Sequence, residues 1–101
     1  MNNAKGMVAY SMKVKFFATY RDITRRKDED VPAPADVWEL LLGLADRYNG
    51  FGEELLSPDR AEVNDEAIIL VNGRNIAHLA GKDTALTEAD VVSLFPMVAG
   101  G

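Results

Sequence analysis

Hydrophobic and polar positions alternate from residue 12 to residue 20. Val14, Phe16, Ala18 and Tyr20 fall on one face, and Lys13, Lys15, Phe17 and Thr19 on the other. That period of two predicts a strand with one buried face. Residues 21–24 read as a turn. Residues 26–31 are strongly charged, which predicts a short strand at a sheet edge, where charge resists unwanted pairing. Within it Asp28, Glu29 and Asp30 read as a solvated face. Pro32 and Pro34 break the chain. Asp36 with Glu39 three residues later reads as a helix start, a capping box in which Asp replaces Ser or Thr. Val37, Leu40, Leu41, Leu44 and Tyr48 then form one apolar stripe at helical spacing. Asn49 and Gly50 both tolerate the left-handed conformation and stop the helix. Residues 51–56 predict one further short turn of helix, and residues 57–65 a polar loop.

The run AIILV at 67–71 suits a well-buried strand. Asn72-Gly73 signals a tight turn, with a short return strand over 74–77. Residues 80–89 read as loop. Residues 90–95 form the last strand, with Val92 and Leu94 on one face and Val91, Ser93 and Phe95 on the other. Pro96 is expected to end regular pairing. The order is strand, strand, helix, strand, short strand, strand. One main helix packed on one face of a mixed sheet is the economical two-layer answer. The expected fold is therefore α+β, a β-grasp (ubiquitin-like) arrangement with the first and last strands adjacent at the centre. Residues 1–11 read as a leader, 12–96 as the β-grasp domain and 97–101 as an extended tail ending Gly-Gly.

With 101 residues, 48% hydrophobic and 27% charged, the chain has the make-up of one globular domain. A net charge of -5 without a long basic run argues against nucleic acid and anionic membranes. It implies that a receiving partner surface is basic or apolar. No cysteine is present, which excludes disulfides, thiolate metal sites and cysteine nucleophiles. His78 is the sole histidine and reads as a surface or turn residue, so no metal site is expected. No stretch approaches a membrane span and residues 1–11 lack a signal-peptide core. A cytoplasmic protein is expected.

No catalytic constellation emerges. The carboxylates lack an apolar context that would tune them for acid-base work. Gly50-Phe51-Gly52 lacks the lysine and flanking strand of a phosphate loop. Trp38 and Tyr48 read as core or rim packing. The C-terminus stands apart, because Gly100-Gly101 follows almost directly on an apolar strand and a proline. A carboxylate becomes reactive once adenylyl transfer from ATP turns one oxygen into a leaving group. Two residues without Cβ let such a tail thread a narrow channel in another protein and leave its carbonyl open to a sulfur nucleophile. The product would be a terminal thiocarboxylate.

The opening MKVKFFATYRDI, the run ILVNGRNI and the ending ADVVSLFPMVAGG resemble the small subunit of molybdopterin synthase and its relatives. The resemblance covers nearly everything from residue 12 to 101. It implies a β-grasp sulfur carrier that is not an enzyme alone and binds no cofactor. Its terminal glycine would be adenylated with ATP by a ubiquitin-activating-like adenylyltransferase and converted to a thiocarboxylate. The tail would then enter the molybdopterin synthase large subunit and donate sulfur to a pterin precursor. Gly101 would bear the sulfur and Gly100 would aid threading. The chain departs from the family in having Pro96-Met97 for Pro-Pro, Ala89-Asp90 for Gly-Asp, and Arg25-Arg26-Lys27 for a glycine-containing turn. Relatives serve thiamin thiazole formation, cysteine synthesis, tungsten-pterin synthesis and protein tagging, so these remain alternatives, as does a β-grasp interaction module. The alternation of the two strands places Phe17 and Phe95 together, facing outward. With Pro96, Met97, Val98 and Ala99 they are the expected partner-binding residues.

Overall fold

The structure, a computed structural model, describes residues 11–97. Strand β1 spans Ser11–Phe16, so Ser11 belongs to the sheet and not to the leader. The alternation up to Phe16 is observed, with Met12, Val14 and Phe16 buried. Beyond it the expected strand fails. Ala18 takes a φ of 55°, which breaks the extended run. Thr19–Thr24 then forms a helix, α1, where a turn was expected. Tyr20 still reaches the core, but from this helix, while Ala18 is exposed. Arg25 closes α1 in the left-handed conformation, its N–H donating to the Arg21 carbonyl at 2.7 Å. The buried Thr24 hydroxyl lies 3.1 Å from the Tyr20 carbonyl and 3.2 Å from that of Arg26, which pins the turn that follows.

Strand β2, Asp28–Pro32, forms the expected charged edge. Lys13 reaches Asp28 at 3.6 Å and Asp30 at 3.4 Å from the neighbouring strand. The hydrogen bond to Asp30 and the charge of Asp28 hold its ammonium above the ordinary lysine range. The acidic run is not uniformly solvated, however. Glu29 is in register with buried Val14, so alternation turns it inward and leaves its side chain only 10% exposed. Arg47 pairs with it and the Tyr48 hydroxyl donates to it. A carboxylate on that face needs such partners.

The main helix, α2, covers Val37–Arg47. Asp36 accepts from the Glu39 N–H at 2.9 Å, and the Glu39 carboxylate accepts from the Ala35 N–H at 3.0 Å. The capping box is thus present with its return bond one residue upstream. Val37, Leu40, Leu41 and Leu44 are buried. A third helix, α3, is the short turn Gly52–Leu55. Between the two, Phe51 is fully buried, edge-on to Tyr20 at 5.1 Å and to Phe16 at 6.0 Å.

Strand β3, Ala67–Val71, turns through Asn72 and Gly73, both at positive φ, into β4, Arg74–Asn75. This two-residue hairpin loop requires that conformation. The return strand is shorter than expected, because the Asn75 side chain accepts from the Ala77 N–H and starts a 3-10 turn at Ile76–His78. Strand β5 is Val91–Pro96. The sheet order is β2-β1-β5-β3-β4, with β1 and β5 parallel at the centre and the remaining neighbours antiparallel. The core joins Val14, Phe16, Ile69, Val71, Val92 and Leu94 of the sheet to Leu40, Leu41 and Leu44 of α2. No helix among the described residues is long and apolar enough to cross a membrane.

Candidate functional site

The parallel pairing of β1 and β5 carries both strands toward the same end of the sheet, with Phe16 opposite Leu94. Pro96 does not end the pairing there. It stands in register with Ala67, and the Met97 N–H still donates to the Glu66 carbonyl at 2.7 Å. Proline lacks only its own N–H, so the neighbouring donor keeps the ladder closed for one more residue. The chain leaves the sheet at Met97, which is 53% exposed. Val98, Ala99, Gly100 and Gly101 lie outside the described residues.

Beside this exit, Phe17 and Phe95 stack with centroids 4.7 Å apart and ring planes within 12° of parallel. The Phe17 N–H donates to the Leu94 carbonyl at 3.1 Å, which fixes one strand end against the other. Both rings are partly exposed. The Arg21 guanidinium lies 5.5 Å from the Phe17 centroid, and its Nε–H donates to the Phe16 carbonyl at 2.9 Å. This cation over an aromatic face was not foreseen, because residues 21–24 read as a turn and not as a helix folding back over β1.

The rings belong to a larger surface. Register places Ile68 beside Phe95, Leu70 beside Ser93 and Val91 beside Lys13, all on the sheet face that α2 leaves uncovered. Ile68, Leu70 and Val91 are partly exposed. The sequence hides the β3 share of this face, because AIILV is apolar at every position and shows no alternation.

Two other features bound what the molecule can do chemically. Among the described residues, no group of three or more His, Cys, Asp or Glu side chains is arranged to hold a metal ion. His78 is exposed at the end of its 3-10 turn. The Tyr20 phenol is pushed up to about 12, first by burial and then by the charges of Glu54 and Glu66. A neutral phenol of that kind is a poor acid or base at neutral pH. What the described residues offer is a partly exposed apolar sheet face beside a chain exit.

Comparison with known proteins agrees with this architecture. The ThiS family matches residues 14–101. Small archaeal modifier protein 3 of Haloferax volcanii is 38% identical over 96 residues, covering 89% of this chain and 98% of the relative. The solution structure of small archaeal modifier protein 1 from Methanosarcina acetivorans superposes with a TM-score of 0.79 at 30% identity, covering 91% of this chain and 97% of that one. A Pyrococcus furiosus structure named for molybdopterin converting factor subunit 1 gives a TM-score of 0.70 at 30% identity, covering 88% and 99%. These likenesses extend across the helix, the five-stranded sheet and the exit beyond β5, and the chain belongs to the ThiS family of ubiquitin-like sulfur carriers and protein modifiers.

Proposed function

We propose that this chain carries sulfur as a thiocarboxylate on Gly101 and delivers it to a molybdopterin-type synthase. The observation that supports the reading most is the family match, which runs to Gly101 itself. In the first step the carboxylate attacks the α-phosphorus of ATP in a ubiquitin-activating-like adenylyltransferase, and pyrophosphate leaves. In the second, a hydrosulfide equivalent attacks the resulting acyl carbonyl and AMP leaves. The carrier supplies no catalytic side chain. Phe17 and Phe95 anchor it on each partner while Gly100 lets the chain enter the active site. The large synthase subunit is the proposed acceptor, in line with the name of the Pyrococcus relative.

The test is intact mass after incubation with the adenylyltransferase, ATP and sulfide. The full chain should gain the increment of one sulfur replacing one oxygen. A chain lacking Gly101 should gain nothing, and Gly100→Val should fail at adenylation or at entry, both with unchanged denaturation midpoints. Normal sulfur loading without Gly101 would remove the proposal. The 38% identity to a modifier protein favours a second reading, in which the activated Gly101 carbonyl is passed to lysine amines. Isopeptide conjugates formed in place of the thiocarboxylate would select it.

A further inference from the structure

The chain holds sixteen carboxylates against eleven lysines and arginines. In such excess, exposed cations should find partners readily, and Lys13, Arg47, Arg60 and Lys82 do. Lys15, Arg21, Arg25, Arg26, Lys27 and Arg74 do not: none has a carboxylate within ion-pair distance among the described residues, and all are exposed. All but Arg74 gather at one place. Lys15 precedes Phe17 by two residues on the uncovered sheet face, and Arg21 lies over Phe17. Arg25 follows one helical turn after Arg21, and the Lys27 carbonyl accepts from the Phe16 N–H at 2.8 Å. The cationic turn is thereby fixed to the end of β1 where β5 leaves the sheet. Its backbone is held by the left-handed Arg25 and the buried Thr24 hydroxyl, so the charges stand on a rigid support. On the other flank of β5 the charge reverses, with Glu53, Glu54, Asp59, Glu62, Asp65 and Glu66 crowding the segment that receives the Met97 N–H.

We infer that the Arg21–Lys27 turn is a docking element for an acidic surface on the activating enzyme, next to the channel that admits the tail. The inference rests on the carrier reading and departs from the expectation, drawn from net charge, of a basic or apolar partner surface. Across the exit, the turn sets four cations against Asp22, while residues 53–66 set six carboxylates against Arg60. Charge of this kind sets approach rate and register more than final affinity. A guanidinium also presents a planar fork suited to carboxylates. With Nε committed to the Phe16 carbonyl, the exposed Arg21 still has its terminal amino groups to offer a carboxylate. A positive turn on one flank of the exit and a negative loop on the other would favour one rotational setting of the carrier over the channel.

The test is ATP–pyrophosphate exchange by the purified adenylyltransferase of the source organism, with the full chain as substrate, across a salt series. R25E/R26E should raise the KM for the chain about tenfold without changing kcat, and the difference should narrow as salt rises. R21E should act in the same direction. Because it also removes a bond to Phe16, the double variant carries the decision. R74E, at the opposite end of the sheet, should leave KM unchanged. Denaturation midpoints confirm that each variant is folded. An unchanged KM for R25E/R26E would overturn the inference and leave the carrier reading standing. Failure of the wild-type chain to support any exchange would sink the carrier reading and this inference with it. Light scattering that shows self-association lost in R25E/R26E would assign the turn to the acidic flank of a second copy. Tight binding of an RNA oligonucleotide at physiological salt, lost in the same variant, would assign it to nucleic acid. Either result would also overturn the inference.

Discussion

Tyr20 brings a hydroxyl into the core, where it has no hydrogen-bond partner among the described residues. Its ring packs edge-on against Phe51. The native phenol ionises near 12, whereas in the unfolded chain it does so near 10. Between those values the unfolded state releases a proton that the folded state keeps, so stability falls as pH climbs from about 10 toward 12. Tyr20→Phe should flatten that decline and change stability at pH 7 by less than about 1 kcal/mol, since no bond is lost. Denaturation midpoints across alkaline pH check both. A loss of several kcal/mol at neutral pH would mean that the hydroxyl has a partner. Residue by residue, the sequence was most legible where one pattern dominated. Val14 and Phe16 follow from alternation. Glu29 does not, because its burial depends on Arg47 and Tyr48 arriving from a helix far along the chain.

At the scale of elements, α2 is the part most fully written in its own residues. Asp36, Glu39, the four buried aliphatics and Gly50 each mark a boundary or a face with local chemistry. Leu41→Ala and Leu44→Ala should each cost about 2–5 kcal/mol, since both side chains fill a closed core. Glu39→Ala removes only an exposed bond to the Ala35 N–H and should cost about 1 kcal/mol or less. Urea unfolding of the three variants provides the check, and equal small effects would mean that the stripe does not face the sheet. Helix α1 shows the converse. TYRDIT carries no apolar periodicity long enough to read, and its start depends on the positive φ of Ala18, a residue with no special liking for it. The continuous apolar run of β3 likewise marked a strand without saying which side chains the helix would leave uncovered.

For the whole molecule, the sheet topology decides what is offered to a partner. α2 closes one face and leaves Phe17 and Phe95 stacked on the other, next to the exit. Phe95→Ala should weaken partner binding by at least about 2 kcal/mol, roughly thirtyfold in Kd. Its effect on the fold should stay near the worth of one aromatic pair, about 0.5–1.5 kcal/mol. Phe17→Ala should act in the same direction and less strongly. Paired measurements of Kd and denaturation midpoint separate the two effects, and a large stability loss with unchanged Kd would place these rings in the core. The proposed tail chemistry is drawn from Gly100 and Gly101, which lie outside the described residues. The cationic turn was not legible in the sequence, because net charge says nothing of where the charges stand.

The central place of β5 also shapes how the protein is made. β5 is the last strand among the described residues, yet it separates β1 from β3, so neither half of the sheet can close without it. The pairing of Lys13 with Val91 spans most of the sequence. Sheets built on such distant contacts form late and slowly, after the local hairpin and helices. During synthesis the core stays open until residues 91–96 have cleared the ribosome. A chain cut short before β5 would expose its apolar sheet residues and be removed by quality control. On the proposed function, the order of assembly would tie display of the tail to completion of the fold.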